Sequence, residues 1–301
     1  MSHGGSRRVV LLALGANLGI AIAKLGAALL TGSGSMLAEA IHSFADAGNQ
    51  GLLLVGDSRA RRPASEHYPM GYGREAYFWA LLVAVLLFTM GGLFSGYEGV
   101  HKLLHPAGLK SMGVAVAVLV LSIGLESYSF LAAWKEVNRA RGGKRLYAWA
   151  RETGDVNLLV VAFEDLAALI GLFVALVAVL LTWITGNPFF DAAGSCVLAA
   201  LLLYVAVFLG SQVRRLITGH SVGPELRAVL EEVWKANGFR VVRLVAVWAG
   251  PHQMTVATKV CPEDTSISAL ALIERLNAAE GAVRARLPEV TMQFTEPDQV
   301  D

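Results

Sequence analysis

The chain has 301 residues, 55% of them hydrophobic, and 25 Lys and Arg against 24 Asp and Glu, a net charge of +1. A mean hydropathy of +0.54 is too apolar for an ordinary soluble domain, and the length accommodates one membrane domain plus one small soluble one. The near-neutral balance argues against a nucleic-acid binder, and two cysteines, Cys196 in an apolar run and Cys261 in a polar region, give no disulfide framework or zinc-knuckle spacing.

Arg7 and Arg8 precede an apolar run over residues 9–30. Ala21-Ile22-Ala23 resembles a signal-peptidase site, but the run continues to a bilayer-spanning length of about 20 residues and a second span follows at once. It reads as the first span. Asn17 and Lys24 inside it call for interhelical hydrogen bonds or an ion pair with Glu39 or Glu126.

The second span, over residues 35–57, carries Glu39, His42, Asp46 and Asn49 at offsets of 3, 7 and 10. At about 100° per residue these fall within about one quarter of a helix circumference. A charge near the bilayer centre costs about 2.5–3.5 kcal/mol on insertion scales, so such residues usually face a cavity and mark an ion path. A buried His and Asp bonded to each other as glue between helices is the plainer alternative. Four polar groups on one stripe favour a site, and His42 and Asp46, one turn apart, form half of a candidate metal site with N/O ligands suited to zinc or a similar divalent ion.

A loop over residues 58–74, rich in Arg and Pro, leads to a third span at 75–103, where the pair Gly91-Gly92 permits close packing or a bend. The fourth span covers 112–134 and is followed by a basic loop with Lys135, Arg139, Arg141, Lys144, Arg145 and Arg151. The fifth covers 155–183 and the sixth 188–213. With the N-terminus in the cytoplasm, every Arg and Lys of the long loops lies inside, and only Lys102 and Lys110 remain outside. Both termini are then cytoplasmic.

Residues 1–217 thus form a six-span domain, and 218–301 read as a soluble cytoplasmic one. Gly223-Pro224 opens a helix with Leu226, Val229, Leu230, Val233 and Trp234 on one face. Strands follow at 241–247 and 254–260, then a helix at 268–287 and a strand at 290–294. The order α, β, β, α, β predicts a ferredoxin-like α+β domain.

The remaining ligands must come from another span, and the fifth has the buried acids Glu164 and Asp165, with Asn157 upstream. Adjacent residues point about 100° apart, so both flank a centre rather than both pointing at it. Asp165 and Glu164 are candidate ligands; Glu39, Asn49 and Asn157 are candidate supports for them. Close carboxylates in a low-dielectric site repel, so one of them, and His42, would hold protons when metal is absent. A divalent cation displaces those protons, which is the requirement for antiport; alternating access would expose one site to either side in turn.

These residues, with six spans and an α+β tail, resemble the cation diffusion facilitator family of metal/proton antiporters. Residues 35–46, Ser-Met-Leu-Ala-Glu-Ala-Ile-His-Ser-Phe-Ala-Asp, resemble the family's second-helix signature, with His42 and Asp46 at the two ligand positions, and Tyr68-Pro-Met-Gly-Tyr-Gly-Arg74 its following loop. Residues 42–50, Gly-Tyr-Gly and Phe-Glu-Asp at 163–165 are most similar to the zinc transporter nine branch. The family's fifth-helix pair has Asp165 as its second member, but its first position falls on Val161, which cannot bind metal. Tyr68 and Tyr72 stand where the loop metal site uses His, Trp248 stands where many tails place His, and His252, Asp298 and Cys261 alone make no tail site.

The resemblance implies a homodimer in membrane lipid that exports Zn2+, or Mn2+, Fe2+ or Co2+, against protons, with the metal as cargo and no permanently bound cofactor. Alternatives are a non-transporting membrane scaffold or metal sensor, favoured by the loss at Val161, and an intramembrane hydrolase, disfavoured because no oxyanion site is evident. The chain therefore reads as a transporter, not an enzyme. A bacterial plasma membrane is the expected location, from the even spread of Arg, Ala, Leu and Val and an N-terminus unlike a transit peptide.

Overall fold

The computed structural model describes residues 4–31, 34–105, 112–264 and 266–299, and the side chains of Glu39 and His42 lie outside that description. Helix α1 (Gly4–Thr31) packs along α2 (Gly34–Ala60) and α5 (Met112–Arg141), and α5 in turn packs along α7 (Val156–Thr185). Helices α3 (Glu75–Leu86) and α4 (Phe94–Leu104) are one span joined by a π-helical turn, Leu87–Leu93. The turn falls on Gly91-Gly92, and α8 (Phe189–Ile217) lies against it so closely that a Cβ on Gly92 would stand 2.5 Å from the Leu203 side chain. The glycine pair thus serves both close packing and an irregular turn.

Among the described residues, five helical segments are long and apolar enough to cross a membrane: α1, the α3–α4 unit, α5, α7 and α8. Helix α2, expected as another span, is 27 residues long, but its polar residues keep it out of that set. Two boundaries differ from expectation. Helix α5 runs on past Trp134 to Arg141, whose guanidinium lies 5.6 Å from the Trp134 ring, with Arg139 and Glu136 paired at 2.6 Å one turn earlier. Part of the expected basic loop is a short helix, α6 (Leu146–Glu152), anchored by buried Trp149. An apolar residue within a charged stretch gives a helix only once it has a core to enter.

The tail has α9 (Pro224–Ala236), β1 (Phe239–Gly250), β2 (Gln253–Pro262), α10 (Ala269–Arg286) and β3 (Val290–Pro297), the expected αββαβ order. The sheet order is β1-β2-β3, with β1 and β2 antiparallel and β2 and β3 parallel. On the helix-facing side, Leu230, Trp234, Phe239, Met254 and Val283 are buried, and Trp234 meets Phe239 edge to face at 5.6 Å. Removing such side chains from water supplies about 1.5–3 kcal/mol each.

The turn after β1 docks the tail onto the membrane domain. The backbones of Gly73 and Gly250 approach so closely that a Cβ on Gly250 would stand 2.6 Å from the Gly73 Cα. Trp248 lies over Gly154 and donates its Nε1–H to the Glu152 carbonyl at 3.0 Å. His252 Nε2 stands 3.1 Å from Asp155 Oδ2, and Asp155 Oδ1 caps the first turn of α7 by accepting from the Leu158 N–H at 3.1 Å. Asp298, by contrast, pairs with Lys259 at 3.1 Å.

Candidate transport site

Helix α7 is apolar along most of its length, so its inward carboxylates must be satisfied by neighbouring helices rather than by water. Glu164 is 6% exposed and Asp165 1%. Their partners come from different sides, as adjacent residues on a helix require.

Glu164 faces α2. Asn49 Nδ2 donates to its Oε1 at 3.0 Å and Gln50 Nε2 to its Oε2 at 3.1 Å; Asn17 Nδ2 of α1 donates to Gln50 Oε1 at 3.2 Å. Three helices are joined by one buried chain of amides ending on a carboxylate. The stripe reading placed Asn49 beside the site, and it reaches Glu164 directly; Gln50, 0% exposed, was missed. It lies off the stripe, and only the α7 partner gives it a role.

Asp165 faces α5. Ser129 Oγ donates to its Oδ2 at 2.8 Å, while its Oδ1 is buried with no hydrogen-bond partner among the described residues. One oxygen is oriented, and the other is buried without a described partner. Asp46 lies within electrostatic reach of both Asp165 and Glu164 and lines a cleft of about 320 Å3 with Asn49, Leu52, Leu87 and Met90.

Glu126 of α5 joins this group. It is 2% exposed and lies within electrostatic reach of Asp165, Asp46, Glu164 and Lys24. Sequence reading cast it only as an ion-pair partner for Lys24, whose Nζ donates to Ser43 Oγ at 3.0 Å. The available signal was the stripe Ser122, Glu126, Ser129, all buried and spaced by about one helical turn each.

Other expected members stand elsewhere. Asn157 is 3% exposed, but it lines a small cavity at the tail junction with Asp57, Asp155 and His252. It precedes Glu164 by seven residues, about 10 Å along a helix. Val161 is wholly buried in the apolar core. Among the described residues, no three His, Cys, Asp or Glu side chains are grouped to hold a metal ion, and His42 and Glu39 lie outside them. The Tyr68 and Tyr72 rings of the loop lie 4.6 Å apart, inclined by 40°, and Ser65 Oγ and Tyr72 Oη are hydrogen-bonded at 3.2 Å.

A family model described as the cation efflux transmembrane domain matches residues 10–217. Over 223 residues, 73% of this chain and 39% of the relative, the chain is 37% identical to the mitochondrial proton-coupled zinc antiporter SLC30A9 of Homo sapiens. It is 33% identical over 219 residues to metal tolerance protein C4 of Arabidopsis thaliana, covering 72% of this chain and 48% of that protein. A probable cation efflux system protein of Mycobacterium tuberculosis is 30% identical over 249 residues, 81% of this chain and 68% of the relative. The match thus spans less than half the length of the human and plant relatives. The matched domain covers the helices that carry Asp46, Glu126, Glu164 and Asp165, and the chain belongs to the cation efflux family, the cation diffusion facilitators, near the zinc transporter nine branch.

Proposed function

We propose that this protein exports a divalent metal cation, Zn2+ foremost and Mn2+, Fe2+ or Co2+ as further cargoes, in exchange for protons by alternating access. The observation that carries the reading is Asp165, whose Oδ2 is fixed by Ser129 while Oδ1 is buried without a hydrogen-bond partner among the described residues, in electrostatic reach of Asp46. Leaving a buried acceptor unmatched costs about 1–3 kcal/mol, more when charged. A proton or a cation removes that cost, and the two compete because a metal requires its ligands deprotonated. Asp46, Glu126 and Glu164 within electrostatic reach sharpen the competition.

His42, Asp46 and Asp165 are the proposed ligands, from α2 and α7. Glu164 holds α2 against α7 through Asn49 and Gln50, and its remaining lone pairs leave it able to join the metal as the helices move. A carboxylate-rich set with one imidazole tolerates oxygen-preferring ions beside zinc. We place α2 as a sixth span, both termini in the cytoplasm, and the protein as a homodimer in a bacterial plasma membrane. The one-sided distribution of Arg and Lys supports the cytoplasmic termini; the Mycobacterium relative bears on a bacterial membrane, while the human relative is mitochondrial.

Zn2+, Mn2+, Fe2+ and Co2+ flux into proteoliposomes under an imposed pH gradient tests the reading, with Asp46→Ala and Asp165→Ala as controls. Proton-driven flux lost in both variants is the expected result. Flux that survives Asp165→Ala overturns it. A scaffold or metal sensor is the second reading, favoured by buried Val161 and by the engagement of both Glu164 oxygens; metal-dependent partner binding by a folded protein that moves no ion would select it.

A further inference from the structure

Helix α4 ends at the membrane face opposite the tail. The α3–α4 span covers 30 residues from Glu75, next to the Gly73 docking point, to Leu104. Its last turn presents His101, and His105 is the C-cap residue four positions on. Both side chains are exposed, and their ring centroids lie 4.9 Å apart with planes 29° from parallel.

We propose that His101 and His105 form a chelating site for a divalent transition-metal ion at this face, separate from the buried carboxylates. Histidines at i and i+4 on one helix face place two imidazole nitrogens toward one ion. With Zn–N about 2.1 Å and each ring nitrogen about 1.1 Å from its ring centre, imidazoles sharing an ion have centroids about 4.5 Å apart at a right angle and about 5.2 Å apart at the tetrahedral angle. The observed 4.9 Å falls between these. Rotation about χ2, fast in exposed side chains, turns the ring edges to a common point.

The electrostatics favour a cation there. The α4 C-terminus carries the negative end of the helix dipole. The adjacent cation, Lys102, is drawn toward Glu98 at 3.2 Å and toward Asp191 of α8 at 3.3 Å. Two imidazoles select Zn2+ or Co2+ over Mg2+ or Ca2+, and water completes the shell, so the ion is held reversibly. Capture of exported ions at the exit rests on the export reading above; binding itself does not.

Zn2+ titration calorimetry at pH 7.5 on the purified full chain carrying Asp46→Ala and Asp165→Ala isolates this site. One zinc equivalent is expected to remain and to weaken at least about tenfold on adding either His101→Ala or His105→Ala, since losing a ligand costs no less than losing its orienting partner. A zinc equivalent that persists in both histidine variants, or none in the parent double variant, overturns the proposal. The histidines are exposed, so loss of folding, checked by gel filtration, does not mimic the result. Flux measured separately on His101→Ala with the carboxylates intact reports on export alone.

Discussion

Glu164 and Asp165 adjoin in sequence and make different contacts, because a helix aims them at different neighbours. Both oxygens of Glu164 accept from amides of α2, whereas Asp165 has one oxygen held by Ser129 and one with no partner among the described residues. Hydrogen bonds to a charged group contribute about 1.5–3 kcal/mol each. Glu164→Ala is therefore expected to lower the melting temperature in micelles while leaving zinc affinity within about tenfold, whereas Ser129→Ala lowers affinity about 10–100-fold, as loss of an orienting partner does, with little change in melting. Thermal denaturation and zinc isotherms on the two variants check this. Unchanged melting with abolished binding in Glu164→Ala would make Glu164 a ligand and not a strut.

At the scale of elements, the amino end of α7 is held by its own cap and by the tail. Its amino end is capped by Asp155, and the same carboxylate meets His252 of the tail at 3.1 Å, beside Trp248 over Gly154. The hydrogen bond to Asp155 raises the His252 pKa above the ordinary value of 6.5; desolvation opposes this, and the Asp155 and Glu289 charges add to it. A pKa raised in the folded state stabilises the contact fully below about 6.5 and loses that stabilisation as pH rises through the raised value. Tail docking, read as protection of the β1–β2 turn from hydrogen exchange, is accordingly expected to weaken as pH climbs above 6.5. His252→Gln should flatten that dependence, and a slope unchanged in the variant would assign it to another group.

For the whole molecule, the charge distribution predicts the fold's direction in the membrane. Arg139, at the end of α5, and Leu104, at the end of α4, are exposed and belong to opposite faces in the proposed topology. In a background with Cys196→Ser and Cys261→Ser, an impermeant maleimide applied to intact cells should label Leu104→Cys and spare Arg139→Cys. The reverse pattern would invert the topology and with it the direction of export. The tail then sits on the Arg139 side, docked through the Gly73 and Gly250 backbones.

Local pattern determined much of this protein. Apolar length marked the spans, alternation and amphipathic spacing marked the αββαβ tail, and a polar stripe inside an apolar run marked α2 as special, because each is a property of consecutive residues on one chain. The motif over residues 35–46 and the Phe-Glu-Asp run were enough to indicate the family. Which face of α7 met which helix was not legible, since a carboxylate's partner depends on packing between residues far apart in sequence. Only the tertiary structure set Gln50 on Glu164, Ser129 on Asp165, Glu126 among the acids and Asn157 at the tail junction. It also turned part of an expected loop into α6 by giving Trp149 a core to fill. Sequence specified which groups had to be buried; the cost of burying them unpaired decided, through the fold, what each one touches.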